Sequence, residues 1–519
     1  MSAATANDGF SGLTRAARTV AAFAVALGTF MQVLDTTIAN VSITVIAGNL
    51  GVSADQGTWV ITSFVVANGV SVPLTGWLMQ RFGLVRTYVG ALVLFTLSSF
   101  LCGMAWSLPS LIVFRVMQGF FSGPLVPGSQ ALLLNVFPPQ RRTLALSIWS
   151  ITTLLAPIAG PMLGGYLSDN YSWPWIFLIN LPVGALSAFL CWRHLGKRDA
   201  PGRKVRVDYV GIVLLVIWVG ALQVMLDKGK DADWFASPMI ITLAVVSVLG
   251  FISFLIWELT EQHPIVDLTL FRLRNFWLGS VVQALGYGIF FANLVLFPLW
   301  IQTQLNYTAT WAGFVAAPAG MVAVLVTPFV GKWMGRIDIR WFATVSLLAF
   351  GTSYLMRAEL TSEASFYQFV LPGLVQGIAL ATFFISTVSI VLQGVPGHRV
   401  PAASGLSSFM RTIGGSFAAA IVTTVWDRRA ALYQSRLIEH SGISDPAFRS
   451  ALDHLQAVGF SQSQAFALVS RSLGVQAYAK SAIDFFWISG WLVFLLIILV
   501  WITRPGASAH AHAAAVAAD

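Results

Sequence analysis

The sequence predicts an all-α integral membrane protein with fourteen membrane-spanning helices. Of its 519 residues, 57% are apolar and 10% are charged, whereas about a quarter of an ordinary soluble domain is charged. A soluble fold cannot bury that much apolar surface, so much of the chain must face lipid. Two further observations support this class: long apolar runs recur along the chain, and Lys and Arg concentrate in alternate connections between them.

Apolar runs long enough to cross a membrane, about 20 residues, are found at fourteen places. They lie near residues 19–45, 57–79, 86–106, 109–135, 143–167, 173–194, 208–227, 237–258, 275–303, 308–332, 340–357, 365–393, 402–426 and 481–503. The first run is longer than the roughly 7–15 residues of a signal-peptide core, so we expect it to remain as a helix.

The distribution of Lys and Arg predicts the orientation. With the N-terminus in the cytoplasm, the cytoplasmic segments hold nineteen of them, and the short outer loops hold three: Lys228, Lys230 and Arg357. The positive-inside rule then places both termini in the cytoplasm. This topology accounts for the net charge of +9, and no nucleic-acid partner is expected.

Two segments between the apolar runs are predicted to lie outside the membrane. Residues 195–207 form a basic cytoplasmic linker, and residues 427–480 form an outer segment of 54 residues. In the outer segment, SDPAFRSALDHLQAVG and SQSQAFALVSRSL have apolar residues at helical spacing, which predicts two amphipathic helices. They would carry apolar stripes formed by Leu452, Leu455, Val458 and Phe460, and by Phe466, Leu468, Val469 and Leu473. We expect this segment to dock a partner protein; the alternative is a self-packed lid.

Asp35, in LDTTIANV, is the acid that lies deepest in a predicted helix, about 22 Å from its cytoplasmic edge. A carboxylate at the bilayer centre costs about 2.5–3.5 kcal/mol even on insertion scales, so it must face the protein interior or water. We interpret Asp35 as a proton carrier, with Arg115 in LIVFRVMQG as its partner. The alternatives are a permanent structural clamp between these two residues, or an acid satisfied by the hydroxyls of Thr36 and Thr37.

The fifth apolar run contains APIAGPMLGGYL, which is dense in Pro and Gly. Pro157 and Pro161 remove backbone donors and bend a helix. Gly160 and Gly164, together with Gly165, would allow another helix to approach closely. The pattern predicts a close-packed seam that moves during transport.

At these positions the chain resembles the major facilitator superfamily. GWLMQRFGLVR resembles the signature loop of that family, with Gly76, Arg81, Gly83 and Arg86 at its characteristic positions. LIVFRVMQG resembles the helix-4 motif, and APIAGPMLGGYL the helix-5 motif of proton-driven exporters. LDTTIANV, WPWIFLINLPVG and PIVDLTLFRLRNF are similar to segments of the fourteen-helix drug:proton antiporter subfamily, in particular its EmrB-type members.

The resemblance implies the major facilitator fold. Residues 1–194 and 275–503 would form two six-helix bundles, residues 195–274 would contain two inserted helices, and residues 504–519 would be a cytoplasmic tail. It further implies alternating access, a location in the bacterial inner membrane, and a periplasmic adaptor that connects to an outer-membrane channel. The family usually has an acid at Gln80 and a proline at Thr44, and the second departure predicts a straighter outer end of the first helix.

The function expected from these features is proton-driven multidrug efflux. The alternative is a narrow-specificity exporter of a metabolite, a siderophore or a fatty acid. No P-loop, HExxH, GxSxG or His/Cys cluster occurs, so an enzyme, a metal site and a cofactor are not expected. Arg411 is interpreted either as a cavity residue or as a side chain that snorkels to the cytoplasmic interface. The full set of cavity candidates is Gln32, Asn40, Trp59, Asn68, Gln118, Tyr287, Phe291, Asn293, Gln376, Phe383 and Arg411.

Overall fold

The computed structural model describes residues 10, 12–138, 141–199, 202, 205–305, 307–334, 336–361, 364–439 and 446–505. All regular structure within these ranges is helical, and the predicted all-α membrane fold is confirmed. Eleven described helices are long and apolar enough to span a membrane, or twelve if the bent helix Arg142–Asn170 forms one span. Fourteen spans are compatible with this result, because the long helices Ile339–Ala358 and Val400–Glu439 have more polar sequences; the exact number stays a prediction.

The first half of the chain contains helices α1 to α10. They are α1 (Arg15–Val41), α2 (Ile43–Asn49), α3 (Ala54–Gly57), α4 (Trp59–Phe82), α5 (Leu84–Gly103), α6 (Leu108–Ser122), α7 (Leu125–Val136), α8 (Arg142–Asn170), α9 (Trp175–Leu178) and α10 (Asn180–Leu195). Helix α1 packs on α8 and α10, α4 packs on α6, and α5 packs on α6 and α10.

The second half repeats this arrangement after two inserted helices, α11 (Tyr209–Lys228) and α12 (Pro238–Thr260). It consists of α13 (Arg274–Thr303), α14 (Ala309–Trp333), α15 (Ile339–Ala358), α16 (Phe366–Leu392), α17 (Val400–Glu439), α18 (Pro446–Ala457) and α19 (Gln462–Ile502). Helix α13 packs on α17 and α19, α14 on α16, and α15 on α16 and α19. Helices α1, α4, α5, α6, α8 and α10 therefore correspond to α13, α14, α15, α16, α17 and α19.

The two halves meet where α4 packs on α17 and where α8 packs on α14. We call the end of the molecule at which α1 and α8 begin the basic face, and the other end the opposite face. The halves touch closely near the basic face: a Cβ built on Gly76 would lie 2.6 Å from Ala402 Cα, and one on Gly331 would lie 2.5 Å from Ser147 Oγ. Helix α11 packs on both α4 and α17, so the inserted pair touches both halves.

Three sequence-based expectations concern the ends of helices and of the chain. Helix α1 ends at Val41, where Ser42 N–H bonds to Ala39 O (3.1 Å) in a tight turn, and α2 follows; the straighter outer end expected from Thr44 stays a prediction. The first amphipathic stretch forms α18, whereas the second is the beginning of α19 and continues into its apolar part. Of the predicted tail, residues 506–519 lie outside the described part of the chain.

Candidate functional site

A fully buried carboxylate lies in the first half, where α1 faces α6 and α10. Asp35 is 0% exposed, and its Oδ2 is 2.8 Å from Nη1 of Arg115, which is itself 1% exposed. The other oxygen, Oδ1, accepts hydrogen bonds from Gln118 Nε2 (3.0 Å) and Asn180 Nδ2 (2.7 Å). One cation and two amide groups therefore stabilise the ionised carboxylate.

Arg115 is held from several sides. Its Nε donates to the carbonyl of Val60 (3.1 Å), and its Nη1 also donates to Gln118 Oε1 (2.7 Å). The guanidinium carbon lies 4.1 Å from the ring centroid of Phe64, within the range of a cation–π contact. These contacts fix the side chain at the position where it meets Asp35.

Ser99 completes the network from α5. Its hydroxyl accepts from Gln118 Nε2 (3.1 Å) and Asn180 Nδ2 (2.9 Å), and it donates to the carbonyl of Phe177 (2.9 Å). We call Asp35, Ser99, Arg115, Gln118 and Asn180 the first-half centre. Arg115 lies seven residues into α6, so the centre is about 10 Å from the opposite-face end of that helix.

Arg357 forms a second buried polar group in the other half. The sequence analysis assigned it to an outer loop, and this assignment is wrong: the residue is in the last turn of α15 and is 4% exposed. Its Nη2 donates to Gln376 Oε1, and its guanidinium lies 4.0 Å from the ring centroid of Phe297. Arg357 Nε and the Tyr354 hydroxyl have no hydrogen-bond partner among the described residues. We call Tyr354, Arg357 and Gln376 the second-half centre.

Arg411 lies where the two halves meet. Its guanidinium carbon is 5.4 Å from the ring centroid of Tyr287, 5.6 Å from that of Trp149 and 5.9 Å from that of Phe384. Trp149 belongs to the first half and the other two rings to the second; we call the three rings the aromatic cage. Arg411 is eleven residues into α17, about 16 Å from its beginning. This depth favours the cavity interpretation over snorkelling to the basic face.

The other cavity candidates are distributed unevenly around these groups. Phe291 stacks on Tyr287 of the cage, with ring centroids 5.8 Å apart. Gln32 is buried, and its Oε1 has no partner in the described ranges. Asn68 donates to Ser122 Oγ (2.6 Å) within the first half, and Asn293 donates to a carbonyl of its own helix.

Three candidates lie away from any shared cavity. Phe383 is fully buried and packs against Phe350, with ring centroids 5.6 Å apart. Asn40 is exposed, and Trp59 is 39% exposed at the opposite face. The structure therefore groups Asp35, Arg115 and Gln118 in one place, and Tyr287, Phe291 and Arg411 in another.

The signature loop connects α4 to α5 and contacts the basic linker. Gly83 adopts a positive φ of 99° at the turn, which only glycine adopts readily. Arg81 Nη1 donates to the carbonyl of Val205 (2.5 Å). Asp199 of the linker accepts from the backbone N–H groups of Val85 (3.1 Å) and Arg86 (2.9 Å) at the beginning of α5. Asp199 of the linker thus contacts the signature loop. In this loop, Gln80 stands where the family usually has an acid.

The predicted seam of α8 packs on α1 near the opposite face. A Cβ built on Gly160 would lie 2.0 Å from Thr37 Oγ1, and one on Gly164 would lie 2.6 Å from the carbonyl oxygen of Ile38. The segments Arg142–Pro157 and Met162–Ser168 of this helix are bent by 43° relative to each other. Gly165 adjoins the seam, whereas the side chain of Pro161 lies outside the described part.

Comparisons with known proteins agree with this architecture. The family model described as the Major Facilitator Superfamily matches residues 25–419. The multidrug export protein EmrB of Haemophilus influenzae is 45% identical over 93% of this chain and 95% of its own length. The fatty acid resistance protein FarB of Neisseria gonorrhoeae is 43% identical over 92% of this chain and 94% of its own length.

A similar fold is found in a solved structure of the proton:xylose symporter XylE. It superposes with a TM-score of 0.59 at 14% sequence identity, over 94% of this chain and 96% of the symporter chain. The repeated halves, the family match over most of the chain and the two close relatives lead to one conclusion. This multi-pass membrane protein belongs to the major facilitator superfamily of transporters.

Proposed function

We propose that this transporter exports hydrophobic compounds from the cytoplasm in exchange for protons. The basic face would be cytoplasmic, as the bias in Lys and Arg indicates, and the membrane would be the bacterial inner membrane. The observation that carries the proposal is the first-half centre. A carboxylate and a guanidinium that are both almost completely buried, one on α1 and the other on α6, form a pair that helix movement can open and close.

The proposed coupling depends on this pair. While Asp35 is paired with Arg115, Gln118 and Asn180, one cation and two amide donors stabilise its negative charge. If α1 moves relative to α6 and α10, the carboxylate loses these donors. An unpaired charge in a low-dielectric interior is costly, so the carboxylate would then take up a proton. Asp35 would therefore bind a proton in one conformation and release it in the other.

The substrate range is proposed from the aromatic cage. Three rings and one guanidinium at the contact between the halves favour compounds with an aromatic or other apolar body, with or without a negative charge. Such contacts need little directional bonding and suit many compounds. The names of the two relatives are consistent with both a broad and a narrow substrate range: one is a multidrug export protein and the other a fatty acid resistance protein. Multidrug export is the main proposal, and fatty acid export by the same antiport is the alternative.

Transport by the purified protein in proteoliposomes tests the proposal. A pH gradient is imposed, and the movement of several chemically unrelated hydrophobic drugs and of a long-chain fatty acid is measured with a simultaneous proton-flux signal. We expect gradient-driven movement of several compounds, each coupled to proton flux. Movement of the fatty acid alone would favour the alternative function.

Asp35→Asn is the decisive variant because it preserves the size of the side chain and removes its titration. We expect the variant to insert normally and to lose movement driven by the pH gradient. Asp231→Asn is the matched control, since this acid is 66% exposed at the opposite face. Gradient-driven transport by Asp35→Asn at the wild-type rate would exclude Asp35 as the proton carrier.

We further propose that residues 427–480 dock a periplasmic adaptor, which would connect the transporter to an outer-membrane channel. Helices α17, α18 and α19 meet in this segment. Phe448 and Phe466 pack together, with ring centroids 5.7 Å apart. Of the apolar stripes, Val458 is 65% exposed, Phe460 41% and Leu468 39%, and the exposed members provide a surface for a partner helix.

A surface substitution tests this docking without removing the segment. Val458→Asp combined with Phe460→Ser should abolish adaptor pull-down and whole-cell resistance, while transport in proteoliposomes persists. Phe235→Ser is the control, because Phe235 is an exposed aromatic of another loop at the same face. Unchanged adaptor binding by the double variant would place the dock elsewhere.

A further inference from the structure

An apolar groove opens between α1 and α8 at the basic face. Its volume is about 620 Å³, in the range of small-molecule sites. Along its length the lining is aliphatic and aromatic, and its mouth carries the side chains of three arginines. The lining residues on which the argument depends are Phe23, Leu27, Phe30, Leu144, Ile148 and Ile151.

The groove results from the way these two helices cross. Near the opposite face the seam presses α8 onto α1, at Gly160 against Thr37 and at Gly164 against Ile38. Toward the basic face the two helices diverge, and the apolar side chains between them remain open to the surrounding lipid: Phe23 is 58% exposed and Leu144 is 44% exposed. The lining ends at Phe30 on α1 and Thr152 on α8, before the helices reach the seam.

The mouth of the groove is positively charged. Arg15, Arg18 and Arg141 line it, and none of them forms an ion pair within the described ranges. Nε of Arg18 is buried and has no hydrogen-bond partner there. Helices α1 and α8 both begin at this mouth, so their partial positive charges add to those of the guanidinium groups.

We propose that this groove is a binding site for an anionic phospholipid of the leaflet at the basic face. One acyl chain would lie along Phe23, Leu27, Phe30 and Ile148, and the phosphate would accept hydrogen bonds from the arginines at the mouth. Basic pockets between membrane helices bind anionic headgroups in this way. The site is separate from the aromatic cage and from the first-half centre, and the inference does not depend on the proposed transport function.

The lining of the groove includes no residue of the cage or of the first-half centre, which favours a resident lipid over a compound on its way through the protein. Trp149, a ring of the cage, is almost completely buried and does not line the groove, whereas its neighbour Ile148 does. Further along the two helices, the seam brings α8 against α1 at Gly160 and Gly164. A bound lipid would fill the space that the diverging helices leave, and it would stabilise α8 on the basic-face side of its bend.

Lipid retention by the purified protein tests the proposal. The protein is exchanged into nanodiscs of equal parts phosphatidylglycerol and phosphatidylcholine, re-extracted under mild conditions, and its bound lipids are counted by native mass spectrometry. We expect the wild-type protein to retain phosphatidylglycerol preferentially. Each arginine that contacts an anionic headgroup contributes roughly a fivefold preference for it, so Arg18→Gln combined with Arg141→Gln should reduce the preference by about twenty-five-fold.

Two further variants keep the test decisive. Arg272→Gln combined with Arg274→Gln removes the same charge from exposed positions at the same face and should leave retention unchanged. Ala26→Trp fills the apolar part of the groove without touching the arginines and should also displace the lipid. Equal retention by wild-type and groove variants would overturn the proposal. It would also be overturned if a radiolabelled fatty acid displaced the lipid from the groove and was then transported, because the groove would then be a substrate entrance.

Discussion

The first-half centre and the second-half centre occupy corresponding places in the repeated fold but differ in charge. Gln118 is ten residues into α6, and Gln376 is ten residues into the corresponding helix α16. Cys102 and Arg357 likewise each precede the last residue of α5 and of α15. The first half pairs its buried arginine with a carboxylate, whereas Arg357 is bonded to a neutral amide and packs over an aromatic ring.

If the proposed coupling is correct, this difference gives the two halves separate tasks. A carboxylate paired with a guanidinium can exchange its partner for a proton when the helices move, so the first half can couple to a pH gradient. The second-half centre contains no carboxylate and has no comparable step available. We infer that the first half responds to protons, and that the second half provides a fixed charge distribution against which the first half moves.

The largest effect is expected from removing the paired arginine. Arg115→Gln leaves Asp35 buried without its cation, and breaking a buried pair in this way destabilises a protein by about 3–5 kcal/mol. Arg357→Gln leaves no carboxylate without a partner and removes an isolated buried charge. We therefore expect the free energy of unfolding to fall by about 1 kcal/mol or less. Apparent unfolding midpoints of both variants in the same detergent measure the difference.

A double variant provides the control for this prediction. Asp35→Asn combined with Arg115→Gln removes both charges and should recover most of the stability lost in Arg115→Gln alone. If Arg357→Gln proves as damaging as Arg115→Gln, the second-half centre carries an interaction of equal strength and the proposed asymmetry is wrong.

The two centres also show how much the sequence could predict. Asp35 and Arg115 were found because a charged residue deep in an apolar run must have a partner or a function. Asn180 and Ser99 were missed because single polar residues near helix ends carry no such signal. The sequence indicates a loop at Arg357 because a basic residue at the end of an apolar run is typical of the connection between two membrane helices. The family resemblance predicted the fold, but only the packing of α10 on α1, and of α5 on α6 and α10, shows which polar residues meet.

The next effect concerns the seam, which both halves contain in related forms. A Cβ on Gly164 would lie 2.6 Å from Ile38 O, and a Cβ on Gly414 of α17 would lie 2.5 Å from Ala284 O. Gly164→Leu and Gly414→Leu should each destabilise the protein by about 1–3 kcal/mol through overpacking. We expect transport to fall more for Gly164→Leu, since α1 carries Asp35 and would be displaced.

The control for the seam is Gly90→Leu. A Cβ at Gly90 meets no atom within 4 Å, so this change should leave both stability and transport near wild type. Thermal midpoints and proteoliposome rates of the three variants decide the matter. Equal transport by Gly164→Leu and Gly90→Leu would show that the contact between α8 and α1 has no part in the transport cycle.

A smaller effect distinguishes Arg411 of the cage from Arg357 of the second-half centre. Arg411 faces the cage at the contact between the halves, whereas Arg357 is enclosed within its own half. Removing a cation–π contact and an accessible charge should reduce the binding free energy of an anionic aromatic compound by about 0.5–2 kcal/mol. Arg411→Gln should therefore weaken binding of such a compound by roughly three- to thirtyfold, while Arg357→Gln leaves it unchanged. Fluorescence titration of both variants measures this, and equal losses would remove the distinction.

The inserted helices α11 and α12 extend the comparison to the opposite face, because they are anchored differently to the two halves. Toward the first half, Asp227 accepts from the buried Thr62 hydroxyl, and Lys228 donates to Thr58 Oγ1. Toward the second half, Lys230 forms an ion pair with Asp427 at 2.6 Å, and these side chains are 39% and 37% exposed. The contacts of the inserted helices with the first half are therefore less exposed to solvent than their ion pair with the second half.

The smallest effect follows from this difference in exposure. An ion pair as exposed as Lys230 with Asp427 is worth about 0.2–1 kcal/mol, and salt screens it. Lys230→Gln should lower the apparent unfolding midpoint only slightly, and the difference from wild type should disappear at about 1 M salt, where the Debye length is about 3 Å. Asp227→Ala removes one of the two acceptors of the Thr62 hydroxyl, which keeps the carbonyl of Thr58 at 3.2 Å. We therefore expect a loss of about 0.5–1.5 kcal/mol that salt does not remove. If instead Lys230→Gln is the more harmful change and resists salt, the inserted pair is held chiefly by the second half and would move with it during transport.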